Sequence, residues 1–135
     1  MKRYAVRLTG LFLLTGILVS LLAGCGAQPG YQVMSLAEVM ELVKRESNAL
    51  LVDVRTEEEY TEKHIPGAIL LPIEEIKEGN IEVLSDKEQP IFLYCYTGRR
   101  AEDSAALLSK RGYTHLYAIG GIIEWDGPVN TGLEP

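Results

Sequence analysis

Ile91-Phe92-Leu93-Tyr94-Cys95-Tyr96-Thr97-Gly98-Arg99-Arg100-Ala101 joins an uncharged apolar run to a stretch with helical spacing. Ile91–Tyr94 follows Pro90 and is short and wholly apolar, the pattern of a strand buried on both faces. Ala101–Lys110 places Ala105, Leu107 and Leu108 inward and is followed by Gly112, which predicts a helix. Between the two lie a cysteine delivered by the strand and the five residues that follow it. A tight turn of this kind can aim successive backbone N–H groups inward and form a concave anion nest. Gly98 can adopt a positive φ there at little cost. The helix start adds unpaired N–H groups and its dipole, and Arg99 and Arg100 add formal positive charge. A helix dipole supplies typically about 0.3–1 kcal/mol. Amide hydrogen bonds to the sulfur therefore have to carry most of the stabilisation of a thiolate at Cys95, with the arginines helping.

Working outward, the same alternation recurs. Tyr31–Met34 reads as an edge strand. Ser35 and Glu38 form a capping-box pattern ahead of an amphipathic helix over 36–46, with Leu36, Val39, Met40 and Val43 at helical spacing. Ala49–Val54 is a nearly continuous apolar run and predicts a buried strand. Thr56 and Glu59 repeat the capping box and open a short helix through Lys63. Pro66-Gly67 breaks it, Ile69–Leu71 is a further strand, and a small helix near Ile73–Glu78 ends at Gly79, where a left-handed residue is expected. Leu116–Ile119 is a last strand, and Gly120-Gly121 turns into a short helix containing Trp125. Strands alternating with helices predict an α/β fold, a parallel sheet flanked by helices on both faces. Chemistry in such sheets sits beyond the carboxyl ends of the strands. Cys95 and Asp53-Val54-Arg55 both occupy such ends.

The first 24 residues are of a different kind. Lys2, Arg3 and Arg7 precede Leu8–Leu22, an uncharged stretch of 15 residues, short against the roughly 20 apolar residues of a spanning helix and suited to a signal-peptide core. Leu22-Ala23-Gly24-Cys25 resembles the lipobox of bacterial lipoproteins. That resemblance implies residues 1–24 as a lipoprotein signal peptide, lipidation at Cys25, and residues 25–30 as a lipidated tether. Residues 31–135 then form one domain, held to the membrane on the extracytoplasmic side, periplasm or cell surface. Stable anchoring takes two acyl chains or more, since one is marginal. With Cys25 acylated, Cys95 is the one thiol left, and an intramolecular disulfide is impossible.

Charge excludes some functions. The whole chain carries 13 basic and 19 acidic side chains. Setting aside the three basic residues of the leader leaves 10 against 19, a formal charge of −9 for residues 25–135. Such a domain has no electrostatic footprint for nucleic acid. Two distant histidines and one free cysteine do not make a metal site. Asp53 and Arg55 read as a bracing pair, His64 as a loop-packing residue, Trp125 as half-buried bulk, and Glu57-Glu58-Glu59 as a solvated first helical turn.

Taken in order, Leu51–Arg55, Glu59-Tyr60, His64–Ile69, Tyr94–Ala101 and Gly120-Gly121 followed by Trp125 resemble the rhodanese family. The resemblance spans nearly all of residues 31–127. It implies a sulfurtransferase with Cys95 as nucleophile, taking a sulfane sulfur from a small donor such as thiosulfate and passing it to a thiol or cyanide acceptor through a persulfide. It implies the backbone of Tyr96, Thr97, Gly98, Arg99 and Arg100 as the sulfur cradle, Arg99 and Arg100 as the groups that bind an anionic donor, and no cofactor. Four residues separate Cys95 from Arg100, one fewer than in the related phosphatases and arsenate reductases. Tyr96 stands where many family members carry a basic residue. The alternative is a non-catalytic rhodanese-like module that holds an anion or a protein. A third, an oxyanion reductase or phosphatase, is disfavoured by loop length.

Overall fold

The structure is a computed structural model that describes residues 30–45 and 48–135. The leader, Cys25 and most of the tether, residues 1–29, lie outside the described residues. Five strands form one sheet, β1 (Gln32–Val33), β2 (Leu50–Asp53), β3 (Ala68–Leu70), β4 (Ile91–Cys95) and β5 (Leu116–Gly121). Their spatial order is β1-β5-β4-β2-β3, and every pairing is parallel. Four helices connect them: α1 (Leu36–Arg45), α2 (Glu57–Glu62), α3 (Ile73–Glu78) and α4 (Arg99–Lys110). A 3-10 turn at Ile122–Glu124 follows β5.

The period-2 geometry of a strand sends successive side chains to opposite faces, and β4 shows why its sequence is continuously apolar. Ile91, Leu93 and Cys95 enter one core with Ile73 and Ile76 of α3 and Ala101, Ala105 and Leu108 of α4. Phe92 and Tyr94 enter the other with Leu36 and Val39 of α1 and Tyr60 of α2. All five residues of β4 are buried. The α/β fold expected from the alternation of elements is the fold observed.

Local chemistry sets the helix starts. Thr56 caps α2 by accepting from the Glu59 amide, and the Glu59 carboxylate returns to the Thr56 amide at 3.0 Å. Ser35 and Glu38 make the same exchange ahead of α1. Gly79 closes α3 in the left-handed region, at φ 94°. One boundary matters for the site. The sequence predicts α4 from Ala101, whereas the helix begins at Arg99 with Gly98 as its N-cap at φ 104°. Arg99 and Arg100 therefore belong to the first helical turn and not to the loop. Trp125 likewise falls just beyond the 3-10 turn that was expected to contain it.

Candidate active site

The central strand β4 ends at Cys95, and three residues, Tyr96, Thr97 and Gly98, carry the chain into α4. Room for so short a connection comes from β5. Pairing runs Leu93 with Ala118 and then Cys95 with Gly121, so β5 bulges by one residue, with Gly120 at φ 87°. A bulge of this kind re-aims the residues beyond it. It sets Gly121 against the loop so closely that a Cβ there would overlap the Tyr96 carbonyl oxygen and lie 2.5 Å from the Thr97 Cα. The amide of Ile123 donates to that Tyr96 carbonyl at 3.2 Å. The backbone of the cysteine loop thus leans on a glycine backbone.

Cys95 is 1% exposed, and the amide of Gly98 donates to its Sγ at 3.0 Å. The sequence suggested a ring of amides around the thiol sulfur. The bond from Gly98 is the part of that ring made to Sγ itself. α4 makes its first intrahelical bond from Glu102 to the Gly98 carbonyl, so the amides of Arg99 and Arg100 have no acceptor within the helix.

The two arginines are placed very differently. Arg99 is 83% exposed, with Nε 3.6 Å from the Asp103 carboxylate one turn on. Arg100 turns back to α2. Its two terminal nitrogens donate to the two Glu59 carboxylate oxygens at 2.7 and 2.8 Å, and it also lies within electrostatic reach of Cys95. The Arg100 hydrogen bonds hold the Glu59 carboxyl down at about 2, against the opposing effect of partial burial. Glu59, read from sequence as part of a solvated turn, is instead the clamp on Arg100. Its partner lies 41 positions away, and the only mark of it in the sequence is its place in the family pattern beside Tyr60.

A second polar cluster sits at the end of β2. Arg55 Nε and Nη2 donate to the two oxygens of Asp53 at 2.9 and 2.7 Å, and Nη2 donates again to the Lys63 carbonyl at 2.7 Å. Both side chains are buried. Burial penalises the Arg55 guanidinium, but the hydrogen bonds and charge of Asp53 outweigh it and raise its pKa. The Tyr94 hydroxyl accepts from the Ile65 amide at 3.1 Å, and its pKa is raised by burial first and by the charge of Asp53 second. His64 is buried, stacks on Tyr60 with ring centroids 3.8 Å apart, and bonds the carbonyls of Tyr60 and Glu134. These residues brace loops, as the sequence suggested.

A short cysteine loop between a central parallel strand and a helix, laid on a paired-glycine bulge, is accompanied by a match to the family model described as Rhodanese-like domain over residues 35–127. The chain belongs to the rhodanese-like family. Thiosulfate sulfurtransferase PspE of Escherichia coli is 38% identical over 71 residues, 53% of this chain and 68% of that protein. Thiosulfate sulfurtransferase GlpE of Coxiella burnetii is 34% identical over 96 residues, 70% of this chain and 87% of that protein. Among solved structures, a rhodanese with anions from E. coli superposes with a TM-score of 0.55 at 35% identity, covering 62% of this chain and 99% of that one. The relatives named as thiosulfate sulfurtransferases support a rhodanese-like domain of sulfurtransferase type.

Proposed function

We propose that the protein is a membrane-anchored sulfurtransferase that moves a sulfane sulfur through a persulfide on Cys95. The observation that carries the reading is the Gly98 amide on Sγ at 3.0 Å, at the carboxyl end of the central strand and below the open first turn of α4. In the first half-reaction the Cys95 thiolate attacks the outer sulfur of a donor such as thiosulfate. The S–S bond of the donor breaks, and its electron pair leaves with sulfite. In the second, a thiol or cyanide attacks the terminal sulfur, and the Cys95 thiolate departs. A persulfide carries its charge one S–S bond further out than Sγ, about 2 Å. The amides of Tyr96 to Arg100 would cradle that outer atom, completing a ring that the bare thiol only begins. The names of PspE and GlpE support sulfur transfer. The lipobox-like Leu22–Cys25 supports an acyl anchor on the extracytoplasmic side.

Intact-protein mass spectrometry tests both parts on chain purified from bacterial membranes. The expected mass lacks residues 1–24 and carries acyl chains on Cys25. Exposure to a sulfane donor adds one sulfur atom, which cyanide removes. Cys95→Ala should retain the acyl mass and gain no sulfur. Sulfur loading that persists in Cys95→Ala, or no loading from any of several donors, refutes the persulfide. An unacylated Cys25 refutes the anchor.

A further inference from the structure

What a donor meets at the mouth of this loop is set by two features. The first is that the two nearby arginines each face a carboxylate. The Arg100 guanidinium gives two of its N–H groups to the two Glu59 oxygens, a bidentate pair that offsets its charge while leaving it within reach of Cys95. Glu59 remains ionised above pH about 2, so the pair is neutral as a unit at any physiological pH. Arg99 projects into solvent beside Asp103, and exposed charge is screened strongly by water and salt. Residues 25–135 carry nine more acidic than basic side chains. The second feature is an apolar rim. Tyr96, the residue after Cys95, is 45% exposed, and Ile123 is 57% exposed. The hydrogen bond from the Ile123 amide to the Tyr96 carbonyl sets the two backbones against each other.

We infer that Tyr96 and Ile123 determine donor specificity, favouring a monoanionic sulfane donor on an organic group over the small dianion thiosulfate. This rests on the persulfide reading of Cys95 and names the class of donor that reading leaves open. The chemistry balances without any added oxidant. The Cys95 thiolate attacks the terminal sulfur of an arylthiosulfonate, ArSO2–S⁻, the S–S bond breaks, and the pair leaves on the sulfinate ArSO2⁻. An organic persulfide reacts in the same way and releases its thiolate. In both, the leaving group keeps its apolar portion on the Tyr96–Ile123 rim, where aromatic and aliphatic contact is favourable. Thiosulfate brings a second negative charge to a mouth whose two arginines each face a carboxylate, and has no apolar portion to place on the rim.

The test compares kcat/KM for benzenethiosulfonate and thiosulfate on the full chain in detergent, with cyanide as acceptor. The wild type should favour benzenethiosulfonate by about tenfold or more. Tyr96→Lys should narrow that ratio at least tenfold by raising the value for thiosulfate. Ile123→Lys, at a second exposed position, should narrow it by a smaller factor. A wild-type ratio of one or less, or a ratio unmoved in both variants, overturns the inference while leaving the persulfide intact. Failure of both donors to load sulfur on Cys95 is a separate result, and removes the sulfurtransferase reading on which the inference rests.

Discussion

β2 and β4 lie side by side in the sheet and end at the same level, with Asp53 paired to Tyr94 in the register. Yet the two ends treat their polar groups in opposite ways. At the end of β2, Asp53 and Arg55 are closed on each other through three side-chain bonds at 3.1 Å or less, and the remaining reach of Arg55 goes to the Lys63 carbonyl. At the end of β4, Cys95 receives one amide, and the helix above it starts with amides that no carbonyl of its own can satisfy. One end has turned its charged groups on each other, and the other has kept backbone donors in reserve. Scaffold and site are told apart here by unused donors more than by residue type, since the scaffold end carries the more chemically suggestive pair.

The sharpest way to break this contrast is to open the closed end. Asp53→Ala leaves the Arg55 guanidinium buried without its counter-charge, and breaking a buried pair by removing one partner costs about 3–5 kcal/mol. A domain of this size commonly has only about 5–15 kcal/mol in hand, so the variant should unfold at a much lower urea concentration. Cys95→Ala removes one heavy atom from the core on the other face of the sheet and should cost about 1 kcal/mol, while ending sulfur transfer. Equal shifts in urea midpoint for the two variants would show that the two ends are not different in kind.

Gly121→Ala probes the packing that lets the open end stay open. A Cβ at Gly121 would overlap the Tyr96 carbonyl, and over-packing of this kind costs typically about 1–3 kcal/mol. Relief comes most readily from the three-residue connection, since β4 beneath it is buried throughout. The expected result is a modest loss of stability with a larger loss of sulfur loading, because displacement of the loop moves the Gly98 amide off Sγ. Gly120→Ala would strain a left-handed residue without meeting the loop, and should cost stability with less effect on loading.

How much of this could be read in advance follows from how local each cause is. The capping box at Thr56 and Glu59, the left-handed Gly79 and the apolar run of β4 each lie within a few consecutive residues, and all were legible. The start of α4 was not, because its N-cap is Gly98, which offers no side-chain oxygen to announce a helix. β5 was expected to stop at Ile119, since two glycines in a row look like a turn. The bulge instead carries pairing through Gly120 to Gly121. The Glu59–Arg100 clamp joins two elements 41 positions apart, and no local pattern around either residue announces the other. What the sequence located well was the cysteine and its loop. What it did not show was that each arginine faces a carboxylate, Arg100 on α2 and Arg99 one turn along α4.

That clamp also gives the smallest effect, and one whose sign is fixed. The Glu59 carboxyl is lowered to about 2 by its bonds to Arg100, from an unfolded value near 4.3. A group whose folded pKa lies below its unfolded one stabilises the fold above the unfolded value and loses that contribution as pH falls toward the folded one. The window is therefore about pH 4.5 down to about pH 2. Both side chains are about one-third exposed, so solvent screening keeps the contribution near the upper end for surface pairs, about 1 kcal/mol or less. Glu59→Gln isolates it, because a glutamine at the third helical position can still return a bond to the Thr56 amide and keep the capping box. Urea midpoints of the two proteins should differ between pH 5 and 7, and converge as the solution is acidified through the window. Parallel curves that never meet would mean that the clamp acts through shape alone. The comparison of the two strand ends would then be one of packing, with charge playing no part at the open end.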